Sequence, residues 1–366
     1  MTGSGKSTLV KFIINALDID PQKDVAYVAY TGKAASVLAK KGCPNATTAH
    51  KLLYKATMLA SGKYKFYPVK KGKIKYKVIV VDEVSMLPLS MWNLLMSHGI
   101  YVLACGDPEQ LPPIYSDDNN HVLDKPHVFL NEIMRQAQNS EIIRLSMWIR
   151  EGKSLNGFPC LNEQVMIMKK AELNSGTYEW ADQILCATNA TRNQVNSMIR
   201  KWKGFGIAPQ KGDKIVSLSN HWNFLSWDKS PLTNGSIGYI DDFFVKDVTL
   251  PLRGQKIKAP YMFTKMVLEN DDYYENIPID YNTLLKNEKT LTPRQEYLLY
   301  RNKQMPIETP YDFAYAYAMT VWKAQGSEWD RVLGFEETHP REREEHKKYL
   351  YTLATRAKER LVMVTK

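Results

Sequence analysis

Cysteine is scarce in this 366-residue chain: Cys43, Cys105, Cys160 and Cys186 are widely spaced, with no C-x-x-C pair among them. That spacing argues against a zinc knuckle or a redox dithiol and fits the reduced thiols of a cytosolic protein. Long apolar runs are missing too. The stretch LVKFIINAL, residues 9–17, is broken by Lys11 and followed by no small-residue cleavage site, so neither a membrane span nor a signal peptide is expected. Internal repeats and low-complexity tracts are also absent. Acidic residues are lacking between Lys55 and Lys77, where eight lysines stand, in a chain of formal net charge +10. The length predicts two or more domains with sizeable cores, at roughly 100 to 200 residues per domain.

Against these absences, the first eight residues are rich in information. Met1-Thr2-Gly3-Ser4-Gly5-Lys6-Ser7-Thr8 reads as the second half of a phosphate-binding loop, G-x-x-x-x-G-K-[ST]. The first glycine of that pattern would precede Met1, so the chain is expected to be truncated at its N-terminus, with the strand that delivers the loop lying upstream. Gly3 and Gly5 let backbone N–H groups turn inward on phosphate oxygens, and Ser4 and Thr8 fall in the same nucleotide-binding stretch. Lys6 brings a cation to the β and γ phosphates, while the Ser7 hydroxyl suits magnesium. A helix from about Lys6 to Leu17 would add its positive N-terminal end. A Gly/Ser linker is the competing reading. The apolar face Leu9, Val10, Ile13, Ile14 and Leu17 favours the loop-to-helix context that phosphate binding requires.

The lysine-rich segment carries Tyr64, Phe66, Tyr67 and Tyr76 among its cations. YKFYPVKKGKIKYK alternates around a Lys-Lys-Gly centre and predicts a β-hairpin. Lysines attract a phosphate backbone, and aromatic faces offer stacking surfaces for bases. A solvated basic hairpin without ligand is the plainer alternative. The neighbouring triphosphate signals favour nucleic acid.

Two further strands end in polar groups. KVIVVDEVSML predicts a buried strand from Lys77 to Val81 that delivers Asp82 and Glu83 at its carboxyl end, where ligands bind in open α/β sheets. Asp82 is suited to magnesium and Glu83 to orienting and deprotonating the attacking water. IYVLACGDPEQLPPI predicts a strand from Ile100 to Cys105, then a loop with Asp107 and Gln110. Gln110 is neutral and bidentate, fit to sense a γ-phosphate.

Taken in order, GSGKST, AYTGKAA, TTAHKLL, VVDEVSML, GDPEQLPPI, LNEIMRQ, ILCATNATRNQVN, NGSIGYI, AMTVWKAQGSEWD and LYTLATRAKERLVMV resemble the motifs of superfamily 1B DNA helicases of the RecD and Dda type. The likeness spans nearly the whole chain. It departs at the missing N-terminal strand and adenine-contacting segment, and at Trp322, where the family usually has histidine.

The resemblance implies an α/β fold of two RecA-like P-loop lobes. It places the first lobe at 1–134, with the basic hairpin 55–77 as its strand-separating pin. The second lobe would comprise 135–234 and 311–366, interrupted at 235–310 by a β-rich, SH3-like insertion with a hairpin at Arg253-Gly254-Gln255. Strands are expected at Val25–Tyr30, Lys77–Val81 and Ile100–Cys105 in the first lobe, and near Gln183–Ala187, Asp213–Leu218, Arg331–Phe335 and Arg360–Thr365 in the second.

By the same resemblance, Arg135 and Arg356 reach the γ-phosphate, and Gln325, Gly326 and Glu328 contact nucleotide and link it to DNA. Thr31, Gly32, Thr48, His50, Thr188, Asn189 and Thr320 would hold strand phosphates, with Lys323 as a further candidate. Trp322 is read equally as a base-stacking or a core residue. The implied function is ATP- and Mg2+-dependent 5′ to 3′ translocation on single-stranded DNA with unwinding of forked DNA. A monomer in the cytoplasm of a bacterial or phage-infected cell is implied, with replication or recombination proteins as partners. A non-hydrolysing binding remnant and an RNA helicase are the alternatives, since DNA and RNA differ by 2′-OH contacts that no local motif reveals.

Overall fold

The structure is a computed structural model of the chain, and it describes residues 6–58, 64–112, 121–130, 140–252, 255–269, 271–286, 288–292, 294–295, 298 and 311–365. Two compact units emerge. The first comprises Met1–Leu53, Val69–Val195 and Ala318–Lys366; the second comprises Tyr54–Pro68 and Asn196–Tyr317.

Two parallel sheets lie in the first unit. One contains β1 (Val25–Ala29), β2 (Thr47–Thr48), β5 (Val78–Val81) and β6 (Tyr101–Ala104), in the order β2-β1-β5-β6. The sequences VAYVA and VIVV are buried at every position of β1 and β5, as expected of strands covered on both faces. Val10 and Ile14 of the helix Lys6–Ala16, with Ala35 and Leu38 of the helix Gly32–Lys40, pack on Val25, Tyr27, Val78 and Val80. Thr31 starts the second of these helices by accepting the Ala34 N–H at 3.2 Å. β6 is an outer strand, and its Tyr101 is 83% exposed.

The other parallel sheet is ordered β16-β8-β17-β18-β7, with β7 at Val165–Lys169, β8 at Gln183–Cys186, β16 at Ala318–Thr320, β17 at Trp329–Phe335 and β18 at Ala357–Thr365. Expected strands near 183, 331 and 360 are present here, joined by β7 and β16. The helix Arg343–Ala354 lies so close to β17 that a Cβ at Gly334 would stand 2.1 Å from Leu353 Cδ2, which requires glycine there. Tyr349 then donates its hydroxyl to the Phe335 carbonyl at 2.5 Å.

The second unit is antiparallel. Its main sheet runs β14-β13-β12-β9-β15, with β9 at Lys214–Ser217, β12 at Ile237–Leu252, β13 at Gln255–Val267, β14 at Tyr273–Asp280 and β15 at Phe313–Tyr315. The β12–β13 ribbon pairs from Tyr239↔Val267 to Leu252↔Gln255, so the expected hairpin forms; Arg253 and Gly254 lie outside the described residues. β9 departs from expectation. It pairs antiparallel with β12 and β15 instead of entering the parallel sheet, because Gly235 and Ser236 bond back to Ser217 and lay Ile237 opposite Val216. A small pair, β10 (His221–Leu225) with β11 (Pro231–Leu232), fills the connection.

The basic hairpin also differs in position. Its strands are β3 (Tyr54–Met58) and β4 (Tyr64–Pro68), paired from Tyr54↔Pro68 to Met58↔Tyr64; residues 59–63 between them lie outside the described residues. Past Pro68 the Val69 N–H still donates to the Leu53 carbonyl at 2.8 Å, and only then do the following lysines leave the sheet. They turn instead at Gly72, with φ +80° and the Lys73 N–H on the Lys70 carbonyl at 3.1 Å. No helix among the described residues is long and apolar enough to cross a membrane.

A buried charged pair ties the second unit together. Arg200 Nε and Nη2 donate to the two oxygens of Asp213 at 2.8 and 3.1 Å, and its remaining bonds go to the carbonyls of Ile207 and Ala208. The guanidinium lies 4.1 Å from the Tyr315 ring centroid, and Tyr317 donates to Asp213 at 3.1 Å. Replacing Asp213 by alanine leaves this cation buried without its counter-ion and is expected to cost about 3 to 5 kcal/mol. Urea unfolding should show that loss, with a smaller one for Asp213→Asn, which keeps an acceptor.

Candidate nucleotide and nucleic acid site

Parallel strands deliver their following residues to one edge, and the candidate nucleotide groups gather there. Lys6 opens the helix Lys6–Ala16, whose backbone includes Ser7 and Thr8. Gly3, Ser4, Gly5 and Arg135 lie outside the described residues. Beyond β5, Asp82 continues the ladder by donating its N–H to the Val28 carbonyl at 2.9 Å, and Val84 does so to Cys105 at 2.9 Å. Asp82 accepts the Glu83 N–H at 3.1 Å. Burial pushes the Asp82 carboxyl above its usual range, while Lys6 draws it back.

Glu83 occupies the left-handed region at φ 51°, ψ 48°. For a residue with a Cβ this costs about 1 to 2 kcal/mol, and such strain concentrates at functional positions. Its Oε2 is buried and has no hydrogen-bond partner among the described residues. Burial raises this carboxyl as well; Arg356 opposes the shift, and Asp82 and Glu328 reinforce it. A buried acceptor left unsatisfied is a costly feature, and it is the arrangement a base needs if it is to receive a water molecule.

Three distant segments meet at this carboxylate. Gly326 has φ +76°, and a Cβ built there would lie 3.2 Å from Ala34 Cβ, 3.5 Å from Thr31 Oγ1 and 3.7 Å from Glu83 Oε2. Arg356 is 3% exposed and donates to the Thr352 and Ser327 carbonyls at 3.0 and 3.2 Å and to Thr355 Oγ1 at 3.1 Å. Those bonds employ part of its five-donor fork and aim it from a fixed base. Gln325 is buried with its Nε2 on the Leu111 carbonyl at 2.8 Å, while Gln110 is buried and Glu328 is exposed. A carboxylate pair raised by burial, flanked by Lys6 and Arg356, fits a magnesium–triphosphate group in charge and donor type.

The candidate strand-binding residues sort differently. Thr48 pairs in register with Ala29, which places it beside Thr31 at the carboxyl ends of β1 and β2. Both hydroxyls accept backbone N–H groups, Thr31 from Ala34 and Thr48 from Lys51, so each shapes its own turn. Gly32 is buried, and His50 is exposed with its ring 5.7 Å from Tyr30. Thr320 pairs with Cys186, which brings it next to Thr188 at the end of the other parallel sheet.

Thr188 turns inward. It donates to Thr191 Oγ1 at 3.0 Å and accepts the Thr191 N–H at 3.2 Å, while Thr191 passes its own proton to Glu337. Glu337 also accepts the N–H groups of Ala187 and Thr188 at 2.5 and 2.9 Å. Sequence reasoning missed Glu337, since a Glu-Glu-Thr run after a strand reveals nothing of its partner across the sheet. Asn189 is exposed at the start of the helix Asn189–Trp202. Trp322 stacks on the buried Tyr349 at 5.9 Å and 24°, the core alternative of the sequence reading. Burial, with Arg192 adding to it, lowers the Lys323 ammonium to about 8. On the hairpin, Phe66 and Tyr67 are 51% and 43% exposed, with Lys65 5.0 Å from the Tyr67 ring; the Tyr64 side chain lies outside the description.

Residues 1–172 match the AAA domain family and residues 315–364 the UvrD-like helicase C-terminal domain. The ATP-dependent RecD2 DNA helicase of Deinococcus radiodurans is 25% identical over 386 aligned residues, covering 98% of this chain and 45% of that protein. The ATP-dependent DNA helicase dda of Enterobacteria phage T4 is 26% identical over 223 residues, 54% of this chain and 50% of that one. The chain is thus similar along nearly its whole length to a RecD-type DNA helicase, at low identity.

Among solved structures, Pif1 helicase from Candida albicans superposes with a TM-score of 0.53 at 18% identity, covering 99% of this chain and 88% of that one. Bacteroides Pif1 in complex with ADP-AlF3 and single-stranded DNA gives 0.51 at 15% identity, covering 99% and 86%. These likenesses show the fold, a mixed α/β architecture with two parallel sheets. The chain spans about half the length of the two helicases it matches in sequence.

The raised Glu83 carboxyl links the site to stability. A folded-state pKa above the unfolded one means the native chain gains stability as pH falls through the folded value, with the gain complete below the unfolded value. At neutral pH the buried charge is therefore a burden. Glu83→Gln is expected to raise Tm at pH 7 to 8, with the advantage over the parent fading as pH drops toward 4.5; paired thermal scans across that range measure it.

Proposed function

We propose that this chain is the motor of an ATP-dependent DNA helicase that moves 5′ to 3′ on single-stranded DNA and separates a duplex at a fork. One observation carries the proposal above all: the buried, unpartnered Glu83 Oε2 beside Gly326 and Arg356. A strained acid held dry next to a glycine and an arginine is poorly explained by packing alone and well explained by activation of water for attack on a γ-phosphate.

In this reading Gly3, Ser4, Gly5 and Thr8 cradle phosphates and Lys6 neutralises them. Ser7 and Asp82 would hold magnesium, which supplies charge compensation across the β and γ oxygens when bound. Glu83 takes a proton from the water. Arg356 and Arg135 stabilise the charge spread over the transferring group, and Gln110 reports its presence. Gln325, Gly326 and Glu328 link that event to the strand, held by Thr31, Gly32, Thr48, His50, Thr188, Asn189, Thr320 and Lys323. Trp322 serves the core. The lobes run 1–134, and 135–234 with 311–366; the segment 235–310 is the insertion, and the hairpin is the pin. ATP binding and hydrolysis bias a two-state motion, and alternating grip converts it into steps. A monomer acting in the cytoplasm alongside replication or recombination proteins completes the proposal.

The test is ATP turnover by residues 1–366 with and without single-stranded DNA. Stimulation by DNA is expected; its absence, with DNA still bound, would favour a binding remnant, and stimulation by RNA alone would favour an RNA helicase. Glu83→Gln should keep nucleotide affinity and lose about 100-fold in turnover, the scale of one general base. Lys6→Ala should weaken both. On the hairpin, Phe66→Ala with Tyr67→Ala should depress strand separation while single-strand-stimulated ATPase stays near the parental rate. Equal losses in the two assays would make the hairpin a general binding surface instead.

A further inference from the structure

The loop Gly106–Leu111, which follows β6 and carries Gln110, is fastened by side chains far away in sequence. Tyr351 donates its hydroxyl to Asp107 Oδ2 at 2.6 Å, and the Leu111 N–H donates to Thr352 Oγ1 at 2.9 Å. Gln325 Nε2 takes the Leu111 carbonyl at 2.8 Å. Arg150 and Lys347 approach the Glu109 carboxylate at 3.9 and 4.0 Å. Within the loop, Asp107 Oδ1 accepts the Glu109 N–H at 3.2 Å and the Asp107 carbonyl accepts that of Gln110 at 3.2 Å.

Both members of the central bond are deeply buried, Asp107 at 2% and Tyr351 at 1% exposure. A hydrogen bond to a buried carboxylate is charge-assisted, and removing its donor leaves the charge short of a partner. Asp107 thus accepts from a phenol, and its oxygens organise the turn that presents Gln110. Tyr351 and Thr352 sit on the helix Arg343–Ala354, one turn before Arg356, whose Nε in turn donates to the Thr352 carbonyl at 3.0 Å. The same helical turn thus holds the arginine at one end and the glutamine loop at the other.

We propose that Tyr351 is a positioning residue: its hydroxyl, through Asp107, fixes Gln110 relative to Arg356, so that the two groups approach a nucleotide as one rigid unit. The proposal rests on the ATPase reading of this site. It adds a residue that no sequence motif singled out for chemistry, and it assigns Asp107 to organising the loop.

Tyr351→Phe keeps the ring and deletes the donor, and Thr352→Val removes the second tie at nearly constant shape. Amide hydrogen exchange at Glu109, Gln110 and Leu111 is expected to quicken about tenfold in Tyr351→Phe, the scale of one buried hydrogen bond, with residues 343–354 unchanged. Exchange that stays at the parental rate in the loop, or rises equally throughout the helix, overturns the proposal, and this measurement needs no enzymatic activity.

In the ATPase assay, Tyr351→Phe should lower kcat with KM for ATP unchanged. The double variant with Gln110→Ala should be no slower than Gln110→Ala alone, since one residue acts through the other. Additive losses would refute that route. A parental chain that hydrolyses no ATP would refute the ATPase reading instead, leaving the exchange result to judge the loop.

Discussion

The close approach at Gly326 is the constraint on which the candidate site depends. With φ +76° and Ala34 only 3.2 Å from where a Cβ would stand, that backbone position strongly favours glycine. Its consequence is electrostatic. The Gln325-Gly326-Ser327 turn covers the Glu83 carboxylate, and a covered carboxylate sits in a medium where nearby charges act strongly. Thr31, Glu83 and Gly326 thereby form one contact among three segments that share nothing in sequence.

Around that contact, buried polar groups are treated in two ways. Asp107 is satisfied by hydrogen bonds, and Arg356 is anchored by bonds that employ only part of its five-donor fork. Glu83 Oε2 is left without a partner among the described residues, in a strained backbone conformation. Satisfied groups specify a geometry; unsatisfied ones carry free energy that a ligand can relieve. The distribution separates the scaffold of the site from the groups that are expected to meet substrate.

The antiparallel unit follows a different logic. Its core of Ile215, Leu232, Ile240, Met262, Ile277 and Phe313 is organised by hairpin register and by the buried Arg200–Asp213 pair, whose donors are absorbed by carbonyls and a carboxylate. Its exposed aromatic residues include Phe66 and Tyr67 beside Lys65 on the hairpin, and Trp227 and Phe244 elsewhere.

The primary sequence by itself determined the parallel strands and what they deliver, because uninterrupted β-branched runs such as VIVV are local properties and acids that follow a strand emerge at its carboxyl end. Asp82 and Glu83 were legible for that reason and Lys6 through its phosphate-loop motif, whereas Gln325 and Arg356 came only from the family resemblance; the long β12–β13 ribbon was legible as a hairpin. Tertiary structure alone decided pairings between distant segments. Whether Lys214–Ser217 joins a parallel or an antiparallel sheet depends on where Ile237 returns, and the basic hairpin pairs Tyr54–Met58 with Tyr64–Pro68 rather than folding about the Lys-Lys-Gly centre. Trp322 against Tyr349, Glu337 beneath Thr188, and Tyr351 on Asp107 each unite residues whose identity is compatible with many neighbours. A hydroxyl or carboxylate announces that it will find a partner, and only the folded chain says which one.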